Sequence, residues 1–296
     1  MDLRIKAACG SIAIGIAVFS LKYMAYDLTG STALFSDALE TTVNVVSSIA
    51  TLIAIWFATK PADENHQYGH DKAEYFATVF IGILISLAAF SIFQAAWNGY
   101  VREQDFSYSP LGLGLNALAS VLNAIWATVL IKVGKKERSP SLKADGHHLL
   151  ADIATSLGVL LGVGLVVLTG WRILDPLLAA LVGIGVLWTG GQIVKDSIAG
   201  LMDEAVSTEI QDEIHDLIRQ HGEGAIEAHD VRTRLAGSSI FVEFHLVVPG
   251  KMPVDEAHVI CDRLEAIIHE EVPGSKVTIH IEPDHKTEPN AIVVPD

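Results

Sequence analysis

Six apolar blocks, each about as long as a bilayer is thick, occupy the first two-thirds of this 296-residue chain. They run approximately over residues 5–26, 32–58, 73–100, 110–133, 142–169 and 173–200. A helix of about 20 apolar residues crosses the hydrocarbon core. No other open segment can, because lipid offers the backbone no hydrogen bonds. The blocks are therefore expected to be six transmembrane helices. Arg4 and Lys6 precede the first block, as in the charged start of a signal peptide. No small-residue cleavage site follows and five more blocks do, so it reads as a retained first span.

After residue 200 the chain turns polar. This last third holds 20 of the 35 acidic residues but only 7 of the 20 basic ones, so the net charge of −15 belongs almost entirely to it. An acidic tail argues against nucleic acid as a partner and suits cations. The two cysteines, Cys9 and Cys261, form neither a disulfide framework nor a thiolate cluster.

An even number of spans puts both termini on one side. The connection 132–143 holds Lys132, Lys135, Lys136, Arg138 and Lys143 against Glu137 alone, whereas those near Asp27 and over 101–109 carry little positive charge. The positive-inside rule then places both termini in the cytoplasm of a multi-pass protein of the cell's inner membrane. The tail reads helix over 207–221, strands over 226–235 and 238–248 about a Gly237–Ser238 turn, helix over 254–271 and strand over 276–282. That α-β-β-α-β order predicts a small open-faced α+β domain with its helices on one side of the sheet. The expected division is a transmembrane domain over 1–204, a cytoplasmic domain over 205–285 and a disordered tail over 286–296.

Polar residues inside the spans point to chemistry. Asp37, Glu40 and Asn44 share a face of the second span, and His148 and Asp152 share one of the fifth. An ionised carboxylate at mid-membrane costs at least about 2.5–3.5 kcal/mol, so such residues face the bundle interior and mark function. Asn116, Asn123 and Ser48 read as hydrogen-bonding glue between helices. Glu40, Asn44, His148 and Asp152 together supply four nitrogen and oxygen ligands, enough for a tetrahedral metal site. Asp37, a turn nearer the outer end, is a possible extra ligand, and an Asp37/Thr41 pair is the competing register.

Two further groups are candidate ligands. In the loop after the second span, Asp63, His66 and His70 lie within eight residues, close enough to hold Zn²⁺ with water in a fourth position. In the tail, His229, His245, His258 and His280 lie on or beside the last four elements, with Glu282 on the strand face of His280. His215, His221, His269 and His285 read as exposed helix or terminal residues.

The order and spacing of five motifs resemble the cation diffusion facilitator family, and within it the bacterial zinc/ferrous-iron efflux branch. These are Pro61-Ala-Asp63 with His66-Gln-Tyr-Gly-His70-Asp-Lys-Ala-Glu74, Ala144-Asp-Gly-His-His148-Leu-Leu-Ala-Asp152, Leu201-Met-Asp203-Glu204, Ala228-His229-Asp-Val-Arg232-Thr-Arg234 and Glu256-Ala-His258. The resemblance implies an all-α six-helix membrane bundle with a ferredoxin- or metallochaperone-like cytoplasmic domain. It implies a homodimer that exchanges a divalent metal ion for protons by alternating access. The transport ligands would be Glu40, Asn44, His148 and Asp152, the loop ligands Asp63, His66 and His70, and the cytoplasmic ligands His229, His245, His258, His280 and Glu282. A charge interlock would join Lys72 and Asp203. The metal would be both substrate and regulator, zinc first, with iron, manganese, cobalt and cadmium as alternatives.

Three departures from the branch stand out. Glu40 and Asn44 stand where Asp or His is usual, and Asn44 cannot take a proton; His147 replaces an apolar residue; Asp71 replaces a glycine. A membrane metalloenzyme is disfavoured by the absence of H-E-x-x-H and G-x-S-x-G motifs, which leaves an efflux transporter or a non-transporting metal sensor or scaffold.

Overall fold

The computed structural model describes residues 2–29, 32–101, 110–171, 173–289 and 291–295. It divides into two compact units, Met1–Ile198 and Ala199–Asp296, each taken here by itself.

The first unit consists of α1 (Leu3–Thr29), α2 (Thr32–Ala58), α3 (Ala73–Val101), α4 (Pro110–Lys136), α5 (Pro140–Thr169) and α6 (Leu174–Leu201). At about 1.5 Å per residue, helices of this length reach about 40 Å, more than the hydrocarbon thickness. Leu3–Leu28, Thr41–Ala58, Ala73–Val101, Ala117–Lys136 and Pro176–Leu201 are apolar enough to cross a membrane. The sixth helix, α5, is as long as the others and carries His147, His148 and Asp152 in its first half. The unit is the expected six-helix bundle. Large apolar side chains such as Phe76, Phe90, Trp97, Leu161 and Trp188 stand exposed on its outside, as a lipid-solvated surface requires.

Helix α5 takes part in two buried clusters. Leu142 and Leu149 pack with Ala7 and Ala8 of α1, Ile55 of α2, and Ala127 and Leu130 of α4. Ala144 and Ala151 pack with Ile81 and Ile85 of α3, and Val186 and Ile193 of α6. Close approach depends on Gly146, where a Cβ would sit 3.2 Å from the Ala127 carbonyl oxygen and 2.7 Å from Ile131 Cγ1. Small residues of this kind let membrane helices meet backbone to backbone.

Glu74, fully buried in the first turn of α3, gathers one end of the bundle. It accepts hydrogen bonds from Arg4 Nη1 at 3.1 Å, from Ser141 Oγ at 2.6 Å and from Ser139 Oγ. The start of α1, the start of α3 and the basic α4–α5 connection therefore meet at the same end.

The second unit contains α7 (Thr208–His221), β1 (Glu227–Ala236), β2 (Ser239–Val248), α8 (Val254–Glu271) and β3 (Ser275–Pro283) in the expected order. The strands form one sheet in the order β3-β2-β1-β4. β1 and β2 pair antiparallel about a turn in which Gly237 has φ +57°, and α8 carries the chain across so that β3 pairs parallel with β2. Alternate residues of β2, from Ile240 through Val242, Phe244 and Leu246 to Val248, pack on Ile214 and Ile218 of α7 and on Ala257, Ile260, Leu264 and Ile268 of α8. On α8 those residues recur at three- and four-residue steps, the spacing of one helical face. Among the described residues of this unit, no helix packs on the opposite face of the sheet.

One expectation is overturned. Within the segment 286–296, expected to be disordered, some of the described residues carry secondary structure. After a short 3₁₀ turn at Asp284–Lys286, Ile292 and Val293 form β4, pairing antiparallel with Ala228 and Glu227 of β1. Val294 is buried, and its N–H donates to Ile226 O at 3.2 Å. The two prolines that argued for disorder, Pro289 and Pro295, instead flank an edge strand, where a missing N–H is tolerated. Val294→Asp should then destabilise the second unit by about 1–3 kcal/mol through an unsatisfied buried charge. Thermal unfolding followed by hydrogen exchange on β1 would register the loss, and an unchanged profile would mean that β4 adds nothing.

Candidate metal centres

Within the membrane unit, α2 and α5 face one another through polar side chains. Asn44 and His148 are buried, at 2% and 3% exposure. Asn44 Nδ2 donates to Asp152 Oδ2, which joins the two helices and three of the four expected transport ligands' helical faces. Asn44 Oδ1 is buried with no hydrogen-bond partner. An orphaned carbonyl oxygen costs free energy unless something polar or cationic meets it, so this atom suits a metal. The side chains of Glu40 and Asp37 lie outside the described residues, so the placement of both remains an expectation.

A carboxylate that the sequence reading passed over stands one turn before His148. Asp145 is 1% exposed and accepts from Ser11 Oγ of α1 at 2.5 Å, and from Ser47 and Ser48 of α2 at 3.2 Å each. Ser47 Oγ also lies 3.3 Å from His148 Nδ1. The signal was present, because Asp145 falls three residues before His148 and so on the same helical face.

The loop group is assembled by local turns. Asp63 Oδ1 accepts the backbone N–H groups of Asn65 at 2.9 Å and His66 at 2.7 Å. Gly69, with φ +93°, folds the chain back so that the His66 and His70 rings lie 4.6 Å apart. Asp63 reaches both imidazoles, at 3.3 Å to His66 Nδ1 and 3.3 Å to His70 Nε2. One ligand atom from each of the three lies within 4.8 Å of the others. His70 Nδ1 is a second buried atom with no partner. The His66 backbone N–H, foremost, holds the Asp63 carboxyl below the usual carboxylate range. A lowered value means that the anion's contribution to loop order is complete above about pH 4 and is lost only as pH falls through the lowered value. Asp63 is thus anionic at neutral pH and ready for a cation.

In the second unit, strand register sets the third group. His229 of β1 pairs with His245 of β2, which pairs with His280 of β3, so three imidazoles form one row on the helix-free face. The His229 and His245 rings are 5.3 Å apart, and those of His245 and His280 are 4.9 Å apart. Glu282 touches all three, at 3.3 Å to His229 Nε2, 3.7 Å to His245 Nδ1 and 3.7 Å to His280 Nε2. Two more acids join that were not singled out in sequence. Glu227 lies 3.3 Å from His229 Nδ1, and Asp230 lies 3.8 Å from His245 Nε2. Asp230 reaches inward because it occupies a bulge in β1, with φ +51°. His258 is not in this row. It is exposed on α8, in the helical layer on the other side of the sheet, with Nδ1 3.1 Å from Asp262.

Comparison with known proteins identifies the family. Residues 10–202 match the model of the cation efflux transmembrane domain, and residues 206–284 match that of the cation efflux protein cytoplasmic domain. The chain belongs to the cation efflux family, the cation diffusion facilitators. It is 40% identical to an uncharacterised transporter of Synechocystis over 92% of this chain and 88% of that protein. It is 28% identical to the cation-efflux pump FieF of Salmonella arizonae over 94% of this chain and 92% of that pump. Among solved structures, the zinc form of the zinc transporter CzrB is 43% identical, covering 29% of this chain and 98% of that one, with a TM-score of 0.26.

Membership makes this protein a multi-pass membrane transporter that exports metal cations, and not an enzyme. It leaves the assignment of individual ligands to geometry. Because Glu282 alone touches all three imidazoles of the row, Glu282→Ala should weaken metal binding there by at least about tenfold, as loss of a ligand or of its orienting partner does. Calorimetry on the full-length protein with the loop histidines and Asp152 replaced would measure it, and unchanged affinity would remove Glu282 from the site.

Proposed function

We propose that this cation efflux protein is a proton-coupled exporter of divalent transition metals, with zinc first among its substrates. The observation that carries the reading is the pairing of Asn44 with Asp152 across α2 and α5, beside a buried His148, with Asn44 Oδ1 left for a ligand. Glu40 completes the set. Two carboxylates balance a dication, while an amide oxygen and an imidazole add neutral donors. The set also tolerates iron, manganese, cobalt and cadmium, and affinity order alone does not choose among them. Zinc is favoured by the donor types.

In the proposed cycle the ion enters from the cytoplasm and is released on the far side as the helices rock. Protons arriving there occupy His148 and a carboxylate, which must be deprotonated to hold metal, so affinity falls where protons are supplied. Both termini are placed in the cytoplasm. The basic α4–α5 connection and Arg4 support this, since both meet Glu74 at one end of the bundle. The tail is proposed to bind cytoplasmic metal and join two copies. His258 fits that role only through a second copy, because one chain keeps it on the opposite side of the sheet from the histidine row. The Lys72–Asp203 interlock belongs to the same proposal. Asp203 also accepts from Arg234 at 3.0 Å.

Asp152→Ala should abolish metal flux into proteoliposomes while leaving the protein folded and dimeric, and undiminished flux would refute the transport site. Asn44→Asp adds an anion at nearly constant volume. It should tighten zinc binding at neutral pH and make it more pH-dependent, because the new carboxylate must lose a proton to coordinate. Zinc, iron and manganese affinities measured against pH would test this. Identical affinities and pH slopes would move the site to the Asp37/Thr41 register.

A further inference from the structure

Asp145 is buried three residues before a proposed ligand, and the transport cycle above gives it no part. Its surroundings are specific. Three hydroxyls from two other helices converge on it, from Ser11 at 2.5 Å and from Ser47 and Ser48 at 3.2 Å. Among the described residues no Lys or Arg pairs with it. A neutral carboxyl has a single proton to give, whereas a carboxylate can accept from all three hydroxyls at once. The arrangement is that of an anion held by hydroxyl donors.

Ser47 connects this anion to the metal centre. Its single proton has three acceptors in range, namely Asp145 Oδ1 at 3.2 Å, the Asn44 carbonyl oxygen at 2.9 Å and His148 Nδ1 at 3.3 Å. Hydrogen bonds to a charged acceptor are about twice as strong as neutral ones. With its proton drawn toward Asp145, Ser47 presents a lone pair to His148. Nδ1 must then carry the imidazole's hydrogen, and Nε2 keeps the lone pair that a metal needs.

We propose that Asp145 is a positioning residue of the transport site, acting through Ser47 to hold His148 in the tautomer that offers Nε2 to the metal. The inference rests on the reading of His148 as a transport ligand. Without the carboxylate, only the neutral Asn44 carbonyl oxygen still competes for the Ser47 proton, and Nδ1 becomes a rival acceptor. The Nε2–H form, which cannot coordinate through that atom, then competes. Metal-bound histidines are commonly oriented by a carboxylate or carbonyl on the second nitrogen. Here a hydroxyl stands between the two.

The test is cobalt binding to the full-length protein in detergent, with His66, His70, His229 and His245 replaced by alanine to silence the other centres. Asp145→Asn and Ser47→Ala should each weaken binding by about ten- to a hundredfold and alter the visible spectrum of bound cobalt. The double variant should be no weaker than the worse single one, because both act through one hydroxyl. Unchanged affinity in Asp145→Asn, or losses that simply add, would overturn the proposal. If Asp145→Asn does not fold, Ser47→Ala decides alone, and full affinity in that variant overturns it. His148→Ala and Asp152→Ala distinguish the two levels. If they abolish binding while Asp145→Asn and Ser47→Ala leave it unchanged, only the positioning role fails. If they too bind as before, the transport site itself is misplaced and the proposal falls with it.

Discussion

A carboxylate enclosed in a bundle whose outside faces lipid has to be matched by donors, and the membrane unit is organised around that requirement. Asp145 draws hydroxyls from α1 and α2 onto α5, and Glu74 draws Arg4 of α1 and two serines at the start of α5 onto α3. Apolar packing in lipid does little to choose helix neighbours, because tails are as apolar as leucine. Buried polar groups do choose. An element displaced by one turn would strand a charge. The same logic sets α5 at the meeting of both apolar clusters, since it alone carries Asp145, His148 and Asp152.

The three candidate metal-ligand groups are built on different scales. Asp63, His66 and His70 are brought together by one short loop and need little else of the fold. The histidine row needs two strand pairings in register, including a parallel pair made possible only by α8 crossing between them. The transport set needs two helices to settle against one another in the membrane. Sequence distance between ligands thus tracks how much of the fold must form before a metal can be held. The loop set can assemble early and locally, whereas the proposed transport set comes together only in the assembled bundle.

What could be read from residues alone follows the same gradient. The spans were legible because the bilayer imposes a length and excludes unpaired backbone. The strands and helices of the tail were legible because apolar residues recur at steps of two and of three to four. The loop group was visible as spacing. His258 was grouped with the other tail histidines because each lies on or beside one of the last four elements, and only the sheet separates them, since which side of a layer a helix residue occupies depends on packing. Asp145 went unremarked although it shares the His148 face, because the hydroxyls that meet it come from α1 and α2 and only the packed bundle brings them there. Glu227 and Asp230 depended on a bulge that no local pattern announces. Residues 292–294 were discounted because prolines bracket them, yet three β-branched or aliphatic residues beside a free sheet edge have a place to go.

That last strand has a practical side. Val293 pairs with Glu227, two residues from His229, and Glu288 N–H donates to Glu227 Oε1 at 2.7 Å. Residues 292–294 are therefore moored beside the histidine row. A fluorescent protein or affinity handle joined after Pro295 would be tethered next to that row, and any pull on β4 would be felt at Glu227, two residues from His229.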